Sequence, residues 1–142
     1  MAVSTSKTSS QTAFVAVAPF SSARTRWLGR GLTGVALLFL AMDATIKVFG
    51  VREAIDGTTQ LGYPAHFVLP LGLVEWTCLI LYAVPRTATL GVVLWTGYLG
   101  GAISTHLRVG DPIIAPIIMG VMLWGGLYLR DRRIRQVIPF RI

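Results

Sequence analysis

The chain has 142 residues, about one domain by length. Apolar residues make up 54% and charged residues only 13%, about half the usual charged share, which excludes a soluble enzyme, a free DNA-binding domain and a disordered chain. The net charge of +7 sits at the two ends of the sequence around long apolar runs, a distribution that fits membrane topology rather than nucleic acid.

Residues 1–26 differ from the rest. Ten of the first 25 are Ser or Thr and none is acidic. Only 12–20 are weakly apolar, and Ser21-Ser22-Ala23-Arg24 is a poor cleavage context for a signal peptide. The expectation is a disordered cytoplasmic tail over 1–26.

Four apolar spans follow, at about 27–49, 66–84, 88–105 and 112–129. Roughly 20 helical residues cross a hydrocarbon core, and lipid leaves backbone groups no partner but each other, so all four are expected to be transmembrane helices. The first ends with Asp43 and Lys47 in its last turns, and the second carries Glu75 near its middle. The third and fourth are uncharged.

The connections suit an all-α, up-down-up-down antiparallel bundle over 27–129. Val84-Pro85-Arg86-Thr87 makes the second and third spans neighbours. The longest link, 51–65, holds Gly57, Gly62 and Pro64, which keep it from being one helix. Asp111-Pro112 reads as an N-cap with proline at the first helical position. Pro116 then either kinks the fourth span or marks its true start. An Arg-rich cytoplasmic tail is expected over 130–142.

Lys7, Arg24, Arg26, Arg30, Arg86, Arg130, Arg132, Arg133, Arg135 and Arg141 fall on one side of these spans, and Lys47, Arg52 and Arg108 on the other. Positive charge stays inside, so both termini are expected in the cytoplasm of a bacterium, with the chain in its inner membrane. Trp27, Tyr82 and Tyr128 lie near that cytoplasmic edge, as interfacial aromatics do.

Ionisable groups at membrane depth are costly, which makes them functional candidates. A rise of about 1.5 Å per residue puts Asp43 roughly 9 Å, Lys47 roughly 3 Å and Glu75 roughly 13 Å inside the outer edge, with His106 closing the third span. Asp43, Lys47, Glu75 and His106 are therefore ligand-binding or proton-handling candidates around an outward-opening pocket. Blander readings stand beside this. Lys47 snorkels to the interface, Asp43 merely neutralises it, and His106 is a solvated loop residue. Glu75 has no base in its own helix, so it either pairs with Lys47 across helices or carries a proton.

Trp76, Trp95 and Trp124 lie away from the expected belts. Trp76 and Trp95 are pocket-lining candidates for a flat ligand, or simple packing groups. Gly97 and Gly101 form a small-xxx-small pair, used for packing within the bundle or for a homo-oligomer. Cys78 is single and in an apolar helix, so it reads as inert. One cysteine and two histidines offer no disulfide, dithiol or metal cluster, and no phosphate loop, catalytic triad or haem motif occurs.

Three stretches carry a family resemblance. They are 43–50 (Asp-Ala-Thr-Ile-Lys-Val-Phe-Gly), Leu61-Gly62-Tyr63-Pro64 with Leu71-Gly72-Leu73-Val74-Glu75, and 105–112 (Thr-His-Leu-Arg-Val-Gly-Asp-Pro). In order and spacing over about 27–132 the chain resembles the DoxX-like family of small bacterial membrane proteins. Lys47, Glu75 and His106 match that pattern. The resemblance implies a role linked to quinone or thiol redox chemistry in the membrane, since the family takes its name from a subunit linked to thiosulfate:quinone oxidoreduction.

Two function classes remain open. In one, the chain is an accessory or quinone-binding subunit that works with a membrane or cytoplasmic redox partner, and it has no catalytic motif of its own. In the other, it is a non-enzymatic scaffold or assembly factor whose polar groups set helix register. A small-solute transporter is a third reading, weakened by the lack of inverted repeats.

Overall fold

In the computed structural model, residues 23–138 are described. Among them every regular element is helical. The elements are α1 (Ala23–Val48), α2 (Arg52–Gln60), a 3-10 turn (Ala65–Phe67), α3 (Val68–Ala83), α4 (Ala88–Val109), α5 (Ile114–Arg130) and α6 (Arg132–Val137). The tail expected over 1–26 lies outside the described residues up to 22. Residues 23–26 are the first turn of α1, four residues ahead of the expected start.

The four long helices close a ring, with α1 against α3 and α5 and α4 against the same two. Its interior is held by Leu40, Val92, Trp95, Leu123 and Leu127, together with Tyr82. Large apolar side chains such as Leu38, Phe49, Ile80 and Val121 point outward. An exterior that apolar suits hydrocarbon as solvent.

Two segments are long and apolar enough to cross a membrane, Ala23–Val48 and Ala65–Ala83. Helix α4 has 22 residues, but four glycines and three threonines dilute its apolarity. Helix α5 is apolar but has 17 residues. The fourth span is shorter than expected because Asp111 and Pro112 precede the helix. Asp111 is not an N-cap. Its N–H donates to the His106 carbonyl at 2.9 Å, while Gly110, at φ 79°, donates to Leu107 at 3.3 Å. These two bonds end α4 as a Schellman turn. Pro116 sits in the first turn of α5, where its missing N–H is harmless.

Close backbone approach sets the helix spacing. A Cβ on Gly29 would lie 2.8 Å from Leu129 Cβ and 3.1 Å from the Gly126 carbonyl, so α1 and α5 meet glycine to glycine. On Gly72 it would lie 2.9 Å from Lys47 Cβ and 3.0 Å from the Ala44 carbonyl, which brings α3 against the end of α1. Gly97 and Gly101 do not serve such packing. Nothing lies within 4 Å of either, because that face of α4 points outward.

Tyr82, in the last turn of α3, is fully buried within the bundle, and its hydroxyl donates to the Leu123 carbonyl at 2.7 Å. The ring sits inward because the close approach of Gly91 packs α4 against the α3 backbone there.

Candidate functional site

The sequence brings Lys47 to the inner side of α1 because Ala44 and Lys47, one turn apart, face α3 at Gly72. Glu75 lies one turn along α3 from Gly72 and therefore faces the same way. Lys47 Nζ donates to Asp43 Oδ2 at 2.7 Å and also to Glu75 Oε1. Tyr98, on α4, donates its hydroxyl to the same Glu75 oxygen and lies 3.5 Å from Lys47 Nζ. Three helices thus meet in one polar knot.

Burial grades these groups. The Glu75 side chain is 1% exposed, Lys47 16% and Asp43 35%. Lys47 therefore does not snorkel to the outside, since two carboxylates hold it inward. A buried charge needs partners, and the pair supplies them.

One oxygen escapes this arrangement. Glu75 Oε2 is buried with no hydrogen-bond partner. Trp95 is fully buried and its Nε1–H is likewise unpartnered. Its ring meets that of Tyr98 edge-on, with centroids 5.6 Å apart. Tyr98 thus touches one residue with a free acceptor and another with a free donor. Most buried polar groups find partners, which makes both conspicuous.

His106 is not part of the knot. It is eight residues beyond Tyr98, roughly 12 Å along α4. Its Nδ1 lies 3.9 Å from Asp111 Oδ2, too long for a hydrogen bond, and has no other partner. Trp76 is half-buried against the core, and Trp124 donates from Nε1 to Thr96 Oγ1 at 2.9 Å. An apolar groove runs elsewhere, along α1 from Arg24 to Val35, and neither Trp76 nor Trp95 lines it. Among the described residues no group of three or more His, Cys, Asp or Glu could hold a metal ion.

Tyr98 was not a candidate in the sequence. A tyrosine in an apolar span passes for packing, and only its spacing of three from Trp95 hinted at a shared inward face.

A second contact joins residues 42 and 47 positions apart. Tyr63 OH and Thr105 Oγ1 are 3.3 Å apart, and Arg108 Nη2 donates to the Leu61 carbonyl at 2.8 Å. The loop before α3 is thereby clasped to the end of α4, at the same end as Lys47.

The opposite end is basic. The start of α1 lies against the end of α5 at Gly29, and Arg130 donates to the Tyr82 carbonyl at 3.2 Å. This gathers Arg24, Arg26, Arg30, Arg86, Arg130, Arg132, Arg133 and Arg135 with one acid, Asp131. All five other acids lie toward the knot.

A family model described as the DoxX-like family matches residues 31–126. No curated protein and no solved structure matches the chain. The matched range holds the whole knot and the clasp. Together with the apolar helices it supports a membrane protein.

Proposed function

The chain belongs to the DoxX-like family, and from that premise we propose that it is a multi-pass inner-membrane protein that binds a small ligand at Glu75 and serves membrane redox chemistry. In this reading α1, α3, α4 and α5 cross the bilayer up-down-up-down. The arginine-rich end and both termini face the cytoplasm, as the positive-inside rule requires.

The carrying observation is the unpartnered oxygen of a carboxyl that is 1% exposed. A ligand hydroxyl would donate to Glu75 Oε2, and a ligand carbonyl would accept from Trp95 Nε1. A quinone with its quinol offers both groups, so the donor set suits it. Such a molecule carries electrons and protons together, and buried acid–base residues are apt beside it. Lys47 and Tyr98 would hold the Glu75 carboxyl in position. Asp43 would hold Lys47. Electrons would come from a redox partner, since the chain carries no motif for an electron carrier of its own.

The test is mass spectrometry of small molecules extracted after mild-detergent purification, with Glu75→Gln as control. A stoichiometric quinone or similar ligand, lost in the folded variant, is the expected result. Equal retention by both proteins overturns the reading.

A second reading is a scaffold or assembly factor. The observation that favours it is Lys47 itself, which ties α1 to α3 and α4. Here Glu75→Gln lowers stability without changing any bound molecule, and removal of 130–142 loses a partner protein. In either reading the exposed pair Gly97 and Gly101 is the surface through which a second copy would pack.

A further inference from the structure

The apolar groove on α1 belongs to neither the knot nor the clasp. It has a volume of about 760 Å³ and is lined by Trp27, Leu28, Gly31 and Val35, with Met122 from α5 and Arg24 at one end. Gly31 makes the depression, because nothing lies within 4 Å of where its Cβ would be. From Arg24 to Val35 the groove runs roughly 16 Å, about half of a 30 Å hydrocarbon core. It is therefore one leaflet long, and it opens at the arginine-rich end.

We propose that this groove is a binding site for an anionic glycerophospholipid of the leaflet at that end. An acyl chain lies over Gly31 between Leu28 and Val35, and the phosphate meets Arg24. Three features of the groove select this occupant. The groove wall is almost wholly apolar, as an acyl chain needs. Arg24 forms no ion pair among the described residues and stands at the groove's end on the same helix face. Arg26 and Arg30 crowd the same two turns of a helix that has no acid before Asp43, and Arg30 lies 5.3 Å over the Trp27 ring, holding an aromatic at headgroup level. A zwitterionic headgroup would gain much less from that field. The proposal rests on the membrane placement above but not on the Glu75 ligand.

The experiment is native mass spectrometry of the full chain in mild detergent, titrated with phosphatidylglycerol or phosphatidylcholine. The wild type retains one phosphatidylglycerol at least fivefold better than phosphatidylcholine. Gly31→Leu, which fills the groove, lowers phosphatidylglycerol retention at least threefold. Arg24→Gln abolishes the preference between the two lipids. Gly100→Leu, on an open face of α4, changes neither. Equal retention of both lipids by the wild type, or full retention by Gly31→Leu, overturns the site. So does a photocrosslinker at position 28 that captures residues 12–20 of the same chain in place of lipid. Because Glu75 is intact in every variant, failure here leaves the small-ligand test unaffected.

Discussion

Lys47 and Glu75, 28 residues apart in sequence, share a proton-bearing contact at the end of α1, and the glutamate has almost no other exposure. The contact exists because Gly72 lets α3 come within van der Waals distance of the Lys47 stem. The pair is thus both a chemical site and a product of packing.

Removing members of the knot should follow their burial. Lys47→Ala leaves Glu75 buried without its cation. Loss of one partner of a buried pair costs roughly 3–5 kcal/mol in soluble proteins. Polar contacts inside membranes average only about 0.6 kcal/mol. An intermediate loss of about 1–3 kcal/mol is expected for Lys47→Ala. Asp43→Asn, at a half-buried carboxylate, should lose less than about 1 kcal/mol. Thermal unfolding in detergent checks the order. A larger loss for Asp43→Asn would mean that Glu75 does not depend on Lys47.

Tyr98→Phe keeps the ring against Trp95 and deletes only the hydroxyl that donates to Glu75. A destabilisation of about 0.6–1.7 kcal/mol is expected. Ligand retention should fall, but no further than in Glu75→Gln, if Tyr98 orients the carboxyl. Unchanged retention would remove Tyr98 from the binding role.

Glycines on the two faces should respond oppositely. Gly72→Ala forces a Cβ to within 3.0 Å of the Ala44 carbonyl and should cost about 1–3 kcal/mol. Gly97→Leu with Gly101→Leu meets nothing inside the chain, so stability should hold. Light scattering on the double variant then reads the oligomer. Loss of a dimer present in the wild type supports the α4 face as its seam, and an unchanged mass rejects it.

The clasp can be opened without touching the knot. Arg108→Ala removes the bond to the Leu61 carbonyl and should cost about 1 kcal/mol. Hydrogen exchange should rise over 61–67, while α5 stays protected. Equal exchange in both proteins would show that the loop is held by other contacts.

Much was legible in the sequence because it follows from one dimension. Low charge with long apolar runs specifies helices and a membrane environment, since neither water nor an open sheet suits such a chain. The spacing of four between Asp43 and Lys47 sets their pairing on one helix face. Glu75 announces itself by the cost of burying a carboxyl, whatever surrounds it. Glycine and proline marked the break at Gly62 and Pro64, where the chain does turn, although α2 runs straight through Gly57.

Only tertiary structure decided which groups meet. Hydropathy cannot tell a tyrosine that packs from one that donates to a buried acid, so Tyr98 was invisible, as was the core hydroxyl of Tyr82. Gly97 and Gly101 look like a packing pair by spacing, yet Gly29, Gly72 and Gly126 make the close approaches. Spacing records that a small residue is present, whereas the rotation of each helix about its axis decides whether a neighbour uses it. His106 and Glu75 share an outer half by depth, but depth is one coordinate, and eight residues of α4 separate His106 from the knot. The orphaned atoms Glu75 Oε2 and Trp95 Nε1, like His106 Nδ1, are properties of the packed ring alone, because only packing removes the alternatives that an unpaired group would otherwise take.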